Sequence, residues 1–465
     1  MMAIPQEQRA MALETGVTRR LAQYLVQTRP DDLPGAVRAR GVDSFVNWLG
    51  CAVGGSGHPA VKIALSALAP FAGAPQAAVL GRIERTDILT AALLNGVSSH
   101  VFDFDDTHLK TVIHPAGPVA SAIMALAEYR AIGGAEFIHA LILGIETECR
   151  IGNAVYPDHY AVGWHITGSA GVFGAAAAAG KVLGLNETQM TWALGIAASQ
   201  PVGLREMFGT MTKSFHPGRA AQNGLTAALL AARDYTSSEQ AIEAKRGWAN
   251  VVSTRQDYRE ITDGLGERHE SLLNTFKPFA CGIVIHPVID GCIQLRHEHH
   301  LDADLIDAVR LRVHPLVLEL TGKRMPQTGL DGKFSVYHSA AVALIQGRAG
   351  EAQYSDAAVH HAPTVALRNK ISAEIDPSLP ADAAHIVLVL QNGQHLEKHI
   401  EHAIGSTANP MNREAIDGKF TDLTAPVLGA EQAAKLLWAC REVESCGNMA
   451  DLARLTQPEG KRTRC

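Results

Sequence analysis

The chain has 465 residues, 47% hydrophobic and 19% charged, with a formal net charge of −6. This is the balance of a globular chain with room for a large core, not of a disordered one, and the length allows two or three domains. Without a long basic tract or an Arg-rich face, nucleic acid is not an expected partner.

The opening stretch MMAIPQEQRAMALETGVTRR has no basic segment leading into an apolar run, so no secretory signal is expected. Seven cysteines are scattered along the chain, none at CxxC spacing, which fits reduced thiols and a cytoplasmic location. Apolar residues then recur at three- and four-residue spacing almost continuously to about residue 255. TRRLAQYLVQTR, RARGVDSFVNWLGCAVGG, DILTAALLNGVSSHVF, PVASAIMALAEYRAI and AEFIHALILGIETECRIG are all predicted helices. Gly54-Gly55 and Gly133-Gly134 act as stops between them. Residues 160–180, YAVGWHITGSAGVFGAAAAAG, carry no acidic or basic residue and approach the length of a membrane span. They consist mainly of Ala and Gly and lack the Leu, Ile and Phe that insertion requires. They therefore predict a buried helix with its approach loop, and no membrane association. Abundant Ala, Gly and Ser at facing positions let such helices approach closely, so residues 1–269 predict an all-helical domain.

Near residue 270 the pattern changes. AVRLRVHPLVLEL (308–320) is rich in β-branched residues. HIVLVLQNGQHLEKHIE (385–401) places Asn392-Gly393 between an apolar run and a partly alternating one, which is a hairpin signal. KFSVYHSAAVALIQG (333–347) and PTVALRNKI (363–371) read as helices between these strands. Residues 270–402 thus predict a smaller α+β domain. Helical spacing returns in EAIDGKF and EQAAKLLWACREVE, so residues 403–465 are expected to pack back on the first domain. The fold class is mainly α, with one large helical domain formed by both chain ends.

Three histidines stand at apparent helix starts: His114 before Pro115, His165 before ITGSAG, and His216 before Pro217. A helix N-terminus offers unpaired N–H groups and a positive dipole end, which suits a carboxylate and favours a neutral imidazole able to act as a base. Lys213 and Arg219 flank His216 and add positive charge. If the three starts converge, they make a pocket for a small polyanion; otherwise they are capping histidines. The polar knot HVFDFDDTH raises a second question. A continuing helix would put Asp103, Asp106 and Thr107 on one face with His100 on the same side, and Asp105 elsewhere. Clustered Asp and His can bind a divalent metal, but no HExxH-type spacing supports one here, and a solvated helix end is the plain alternative. The histidines at 297–300, 360–361 and 395–402 read as solvated surface. Nothing matches a dinucleotide fingerprint or a covalent-catalysis motif.

HVFDFDDTH followed by HPAGPVASAIMALAE, GWHITGSAGVFGAAAAAGKVLGL and GTMTKSFHPGRAAQNG resembles the MmgE/PrpD family. FKPF at 276–279, KFSVYHSAAVAL at 333–344 and GSTANPMNREAIDGKF at 405–420 extend the likeness over nearly the whole chain. The resemblance implies a helical domain with an inserted α+β lid, a homodimer, and a reaction without metal or organic cofactor on a small di- or tricarboxylate. It puts pocket residues at Asp103, Thr107, His114, His165, Lys213, Lys277, His286 and Tyr337. Two departures weaken a simple transfer of dehydratase or decarboxylase activity. The run ACGIVIH (280–286) is apolar up to His286, and the span from Thr107 to His114 is longer than in the decarboxylases. The nearest likeness within the family is to iminodisuccinate epimerase, with 2-methylcitrate dehydratase or cis-aconitate decarboxylase chemistry as the alternative. A polycarboxylate-binding protein without catalysis is the third. The epimerase reading assigns proton removal and return to a pair drawn from His114, His165, Lys213 and Tyr337. Asp103 and Thr107 orient, while Arg219, Lys277 and His286 hold the substrate.

Overall fold

Capping chemistry and helix periodicity explain most element boundaries in the structure, a computed structural model that describes residues 16–458. Contacts divide the chain into two units. One takes the chain up to Val101, then Asp105–Asn274, then the chain from Ile416 onward; the other takes Phe102–Phe104 and Thr275–Ala415. The protein is mainly α, as the sequence predicts.

The larger unit contains α1 (Val17–Gln27), α2 (Gly35–Gly55), α3 (Ile88–His100), α4 (Ala116–Tyr129), α5 (Gly134–Val155), α6 (Ile166–Leu183), α7 (Glu187–Ala198) and α8 (Met211–Ala231). The start of α3 is set by Asp87, whose Oδ1 accepts from the backbone N–H of Leu89 and Thr90 at 3.1 and 2.9 Å. A capping box between Asn186 and Gln189 opens α7. Helix α6 is long and apolar enough to cross a membrane, yet 89% of it is buried within the protein. Its Phe173, Ala176 and Ala177 share one core with Leu21 and Leu25 of α1, Leu143 and Ile151 of α5, and Ala220 and Ala227 of α8. It is a core helix.

Helix α8 packs against both α6 and α3. Where it meets α3, a Cβ added to Gly96 would lie 2.5 Å from the Cα of Gly218, and one added to Gly218 would lie 2.3 Å from the Leu93 carbonyl oxygen. Only glycine at both positions permits this approach.

Buried charge fastens the periphery. Arg150 on α5 is fully buried; its Nε donates to Glu146 Oε1 at 2.6 Å. Its remaining N–H groups donate to the carbonyls of Ile261, Asp263 and Gly264 at 3.3, 2.9 and 3.0 Å. The helix Ala430–Arg441 is tied back by Arg441, which pairs with Asp43 at 2.5 Å and also with Asp417.

The smaller unit is built on a four-stranded sheet of β1 (Ile306–Val313), β2 (Ile371–Ile375), β3 (Ala384–Leu390) and β4 (His395–Ile400), in the order β2-β1-β3-β4. β1 and β2 are parallel, with Val309 opposite Ile371; β1–β3 and β3–β4 are antiparallel, with Val309 opposite Leu388 and Leu388 opposite Leu396. Gly393 makes the hairpin turn at φ +82°. Ile386 and Leu388 of β3 point inward, under helix α9 (His286–Glu298), and α10 (Val336–Gln346) packs on α9. Two sequence expectations need correction here. In 308–320 the strand stops at Val313, because Pro315 opens a helix capped by His314, whose Nδ1 accepts from Leu316 N–H at 3.1 Å. In 363–371 the helix stops at Arg368, and Ile371 starts a strand whose backbone pairs with β1.

Replacing Arg150 by alanine removes the buried cation that neutralises Glu146 and gathers these carbonyls. Denaturant unfolding should then show a loss of about 3–5 kcal/mol, the range for breaking a buried pair on one side.

Candidate active site

The polar knot after α3 folds differently from a continuing helix. α3 ends at His100, Asp103 adopts a left-handed conformation (φ +52°), and Asp106–His108 is a short strand. Aspartate is among the few residues that enter this region at modest cost. Asp103, Asp106 and Thr107 therefore share no helical face. The reversal instead brings Asp105 back to the end of α3, where its Oδ2 accepts from His100 Nδ1 at 2.7 Å with both side chains fully buried.

A tight turn next delivers His114. His108 N–H donates to the Ile113 carbonyl at 2.8 Å and Thr111 N–H to the His108 carbonyl at 3.1 Å. Val112 takes φ +54°, which is costly for a β-branched residue. His114 is then held from two sides. Its backbone N–H donates to Thr167 Oγ1 in the first turn of α6 at 3.1 Å, and its Nδ1 donates to the Asp106 carbonyl at 2.8 Å. Asp105 Oδ1 lies 3.4 Å from the same nitrogen, as does Thr107 Oγ1.

His165 is the residue before α6, and its backbone N–H donates to the Gly203 carbonyl at 3.0 Å. Its Nδ1 lies 2.9 Å from His216 Nδ1. Gly203, at φ +103°, passes beside both rings; a Cβ there would sit 3.0 Å from His216 and 3.2 Å from His165. His216 does not open a helix. Thr210 Oγ1 accepts from Thr212 N–H at 3.2 Å and caps α8 at Met211, so His216 lies in the second turn and Pro217 inside the helix. The packing of Gly218 on Gly96 holds the helix through the proline.

The three His-led segments do converge, and His100 joins them. Ring centroids are 4.8 Å apart for His100–His114, 5.8 Å for His100–His165, 6.5 Å for His114–His165 and 5.1 Å for His165–His216. The Lys213 amine stands 5.2 Å from the ring centroid of Phe208, whose ring in turn meets His165 edge-on at 5.0 Å.

Burial sets the protonation of this cluster. Burial, aided by the Lys213 charge, lowers His100, pushes His165 well down and brings His216 to about 4. These imidazoles are neutral near pH 7. Burial works against ionisation of Asp105 as well, but the His100 and His114 rings outweigh it and hold this carboxyl well below its ordinary range. Behind it, burial and the Asp105 charge push Asp106 up to about 7; its Oδ2 accepts from Ala116 N–H at 3.2 Å and from Asn274 Nδ2 at 2.6 Å. Burial and Asp106 push Glu148 well up, and neither of its carboxyl oxygens has a hydrogen-bond partner among the described residues. Beside the cluster, His108 Nε2 bonds Glu270 Oε2 at 3.2 Å; despite burial, this bond helps hold Glu270 down to about 2.

Of the other residues singled out in the sequence, Arg219 is exposed and donates to Gln222, outside the imidazole cluster. Asp103 and Lys277 fall in the smaller unit, where Lys277 Nζ lies 3.1 Å from Asp103 Oδ1 and 3.0 Å from its carbonyl. His286 begins α9 with its ring edge against Phe279, and Tyr337 lies buried in the first turn of α10 under the Arg324 guanidinium. Sequence reasoning missed the central position of His100 and Asp105 in the cluster. Their five-residue separation becomes a contact only through the left-handed turn at Asp103, which helix periodicity hides.

His100, Asp105 and His114 present ligand-type atoms within 4.8 Å of one another. Two imidazoles and a carboxylate can hold a divalent ion. Here each Nδ1 is already a hydrogen-bond donor, on Asp105 and on the Asp106 carbonyl, so a cation bound through these nitrogens would have to displace both bonds. As it stands, the arrangement is a hydrogen-bonded cluster of imidazoles around one carboxylate.

Comparison with known proteins places this geometry in a family. The MmgE/PrpD N-terminal domain matches residues 19–261 and the MmgE/PrpD C-terminal domain matches residues 279–443. The chain belongs to the MmgE/PrpD family. A cis-aconitate decarboxylase-like protein of Aspergillus oryzae is 26% identical over 96% of this chain and 98% of its own length. The cis-aconitate decarboxylase of Aspergillus terreus is 26% identical over 89% and 90%, and that of Homo sapiens 26% over 79% and 80%. The histidine cluster of this MmgE/PrpD chain lies within the span of the N-terminal family domain.

The buried groups make stability depend on pH in opposing ways. His139, His159 and His216 have native values of about 4 against an ordinary 6.5. The unfolded chain therefore binds more protons between those values, and stability present above pH 6.5 is lost as pH falls towards 4. Asp106 and Glu148, with raised values, contribute stability that is full below their ordinary range near 4 and is eroded as pH rises through it. Glu148→Gln removes part of that erosion. Its melting temperature should gain on the parent at about pH 8 relative to about pH 4.5; a difference that does not change with pH would mean Glu148 ionises normally in the folded protein.

Proposed function

We propose that the chain is a cofactor-independent enzyme that transfers a proton at a carbon next to a carboxylate of a small polycarboxylate. The observation that carries this is the meeting of four buried imidazoles, three of them pushed towards neutrality, beside the cationic Lys213. A carbanion next to a carboxylate becomes stable only when its second negative charge is met by fixed cations and N–H donors. Lys213 and the N-terminal end of α6 supply such groups, and neutral imidazoles supply the base.

Decarboxylation of a cis-aconitate-type tricarboxylate is the reaction to expect first, since it is what the full-length relatives are named for. In that reaction the C–C bond to the carboxylate on the saturated carbon breaks. Its electron pair shifts along the allylic system, a proton taken up from solvent is passed through the imidazole cluster to the far carbon, and CO2 leaves. A second reading is epimerisation of iminodisuccinate. It is favoured by the placement of His114 and His165 as separately held bases with ring centroids 6.5 Å apart, which suits removal of a proton on one side of a carbon and its return on the other.

The test is incubation in D₂O, with EDTA present, of cis-aconitate and of one iminodisuccinate stereoisomer in parallel. CO2 release with deuterium at the newly protonated carbon is the expected result. Deuterium entry with stereoisomer interconversion and no CO2 would install the second reading. Neither change would overturn the proposal, and activity lost to EDTA but restored by Mg²⁺ or Mn²⁺ would overturn its cofactor independence. In the active assay His165→Gln should lower kcat by about 10²–10⁴-fold, the usual contribution of one proton-transfer group.

A further inference from the structure

We propose that His100 is itself a proton-transfer residue of this site and that Asp105 is the positioning residue that orients it. The inference rests on the function proposed above and deepens it. Neither residue is among those the family resemblance assigns to the pocket.

The geometry carries the argument. His100 is the last residue of α3, and its side chain is fully buried. Asp105 accepts from its Nδ1 at 2.7 Å, and because a carboxylate only accepts, the proton of the neutral ring sits on Nδ1. The other nitrogen, Nε2, therefore carries a lone pair; it is buried and has no hydrogen-bond partner among the described residues. A buried imidazole nitrogen without a partner forfeits a hydrogen bond, and such an orphan calls for an explanation. The ring lies 4.8 Å from His114 and 5.8 Å from His165, closer to each than those two are to one another. It thus closes a triangle with the two histidines the family resemblance points to, with its Nε2 unpartnered among the described residues.

Asp105 does more than bury a charge. Its second oxygen lies 3.4 Å from His114 Nδ1, so one carboxylate faces both rings and favours the Nδ1–H form of each. In the proton-transfer step Nε2 of His100 takes up one proton while Nδ1–H stays on Asp105. In the epimerisation reading the electron pair of the substrate's broken C–H bond is delocalised into the adjacent carboxylate and reforms the bond as Nε2 gives the proton back. In the decarboxylation reading a proton that Nε2 has taken up from solvent is delivered to the far allylic carbon as CO2 leaves. The imidazolium formed meanwhile lies against the Asp105 carboxylate, so no unpaired charge is created in the interior.

The experiment compares parent, His100→Gln and Asp105→Asn for kcat, KM, melting temperature and the far-downfield proton spectrum, using whichever substrate the parent turns over. Expected for His100→Gln is a kcat lowered by about 10²–10⁴-fold with KM and melting temperature little changed. Expected for Asp105→Asn is loss of the downfield N–H resonance of a histidine on a carboxylate, together with a fall in kcat. A purely structural role would lower the melting temperature and leave kcat of the folded fraction intact, which would overturn the proposal. So would an unchanged kcat in either variant beside an active parent. Should His100→Gln fail to fold, the near-isosteric Asp105→Asn decides alone on kcat. A parent that acts on neither polycarboxylate would instead overturn the function proposed above, and this inference with it.

Discussion

The contact between Gly96 of α3 and Gly218 of α8 governs what the rest of the larger unit can do. α3 ends on His100 and α8 carries His216 two residues before the crossing, so their separation is set by how closely the two backbones approach. With a Cβ at either glycine the helices would have to part. The same logic recurs at Gly203, whose positive φ and missing side chain let the chain pass beside both His165 and His216. Small residues in this sequence are thus the means by which four bulky rings share one interior region.

Burial then turns that proximity into chemistry. Four imidazoles in water would be partly charged near neutral pH, and at these separations their charges would repel. Desolvation disfavours the charge on His100, His165 and His216, and Lys213 reinforces it from nearby. Asp105 is the counterweight: it stays ionised against the cost of burial because His100 and His114 both turn a ring nitrogen towards it. A graded set of acids results, from Asp105 held well down through Asp106 at about 7 to Glu148 pushed well up. Groups of one kind are held at different protonation states by surroundings a few ångströms apart, which is how proton-transfer sites obtain an acid and a base together.

Much of this was legible in the sequence. Helix spacing, the Asn392-Gly393 hairpin and the change of pattern near residue 270 are local signals, and local signals survive into the fold. The convergence of His114 and His165 was visible as a possibility because each precedes a small-residue helix. Other features depended on events that no periodicity reports. The end of α3 rests on one aspartate accepting a left-handed conformation, and with that turn unseen Asp105 looked like the acid facing away. His216-Pro217 looked like a helix start because proline usually marks one; Thr210, six residues before His216, had already capped the helix. Arg219 looked like a pocket cation by proximity in sequence, yet its side chain lies exposed with Gln222.

The Nδ1–Nδ1 contact of His165 and His216 has a consequence for how the site can reset. With both rings neutral, only one proton can occupy the line between those nitrogens. If His165 holds it, the far nitrogen of His165 is a lone pair and that of His216 bears hydrogen; if His216 holds it, the roles exchange. The roles exchange without a change in net charge only when the hop across 2.9 Å is matched by a proton leaving Nε2 of His216 and another arriving at Nε2 of His165. Two rings joined this way form a relay: a proton taken up at the outer nitrogen of His165 is balanced by one released from the far side of His216, and passage in the opposite direction restores the starting polarity.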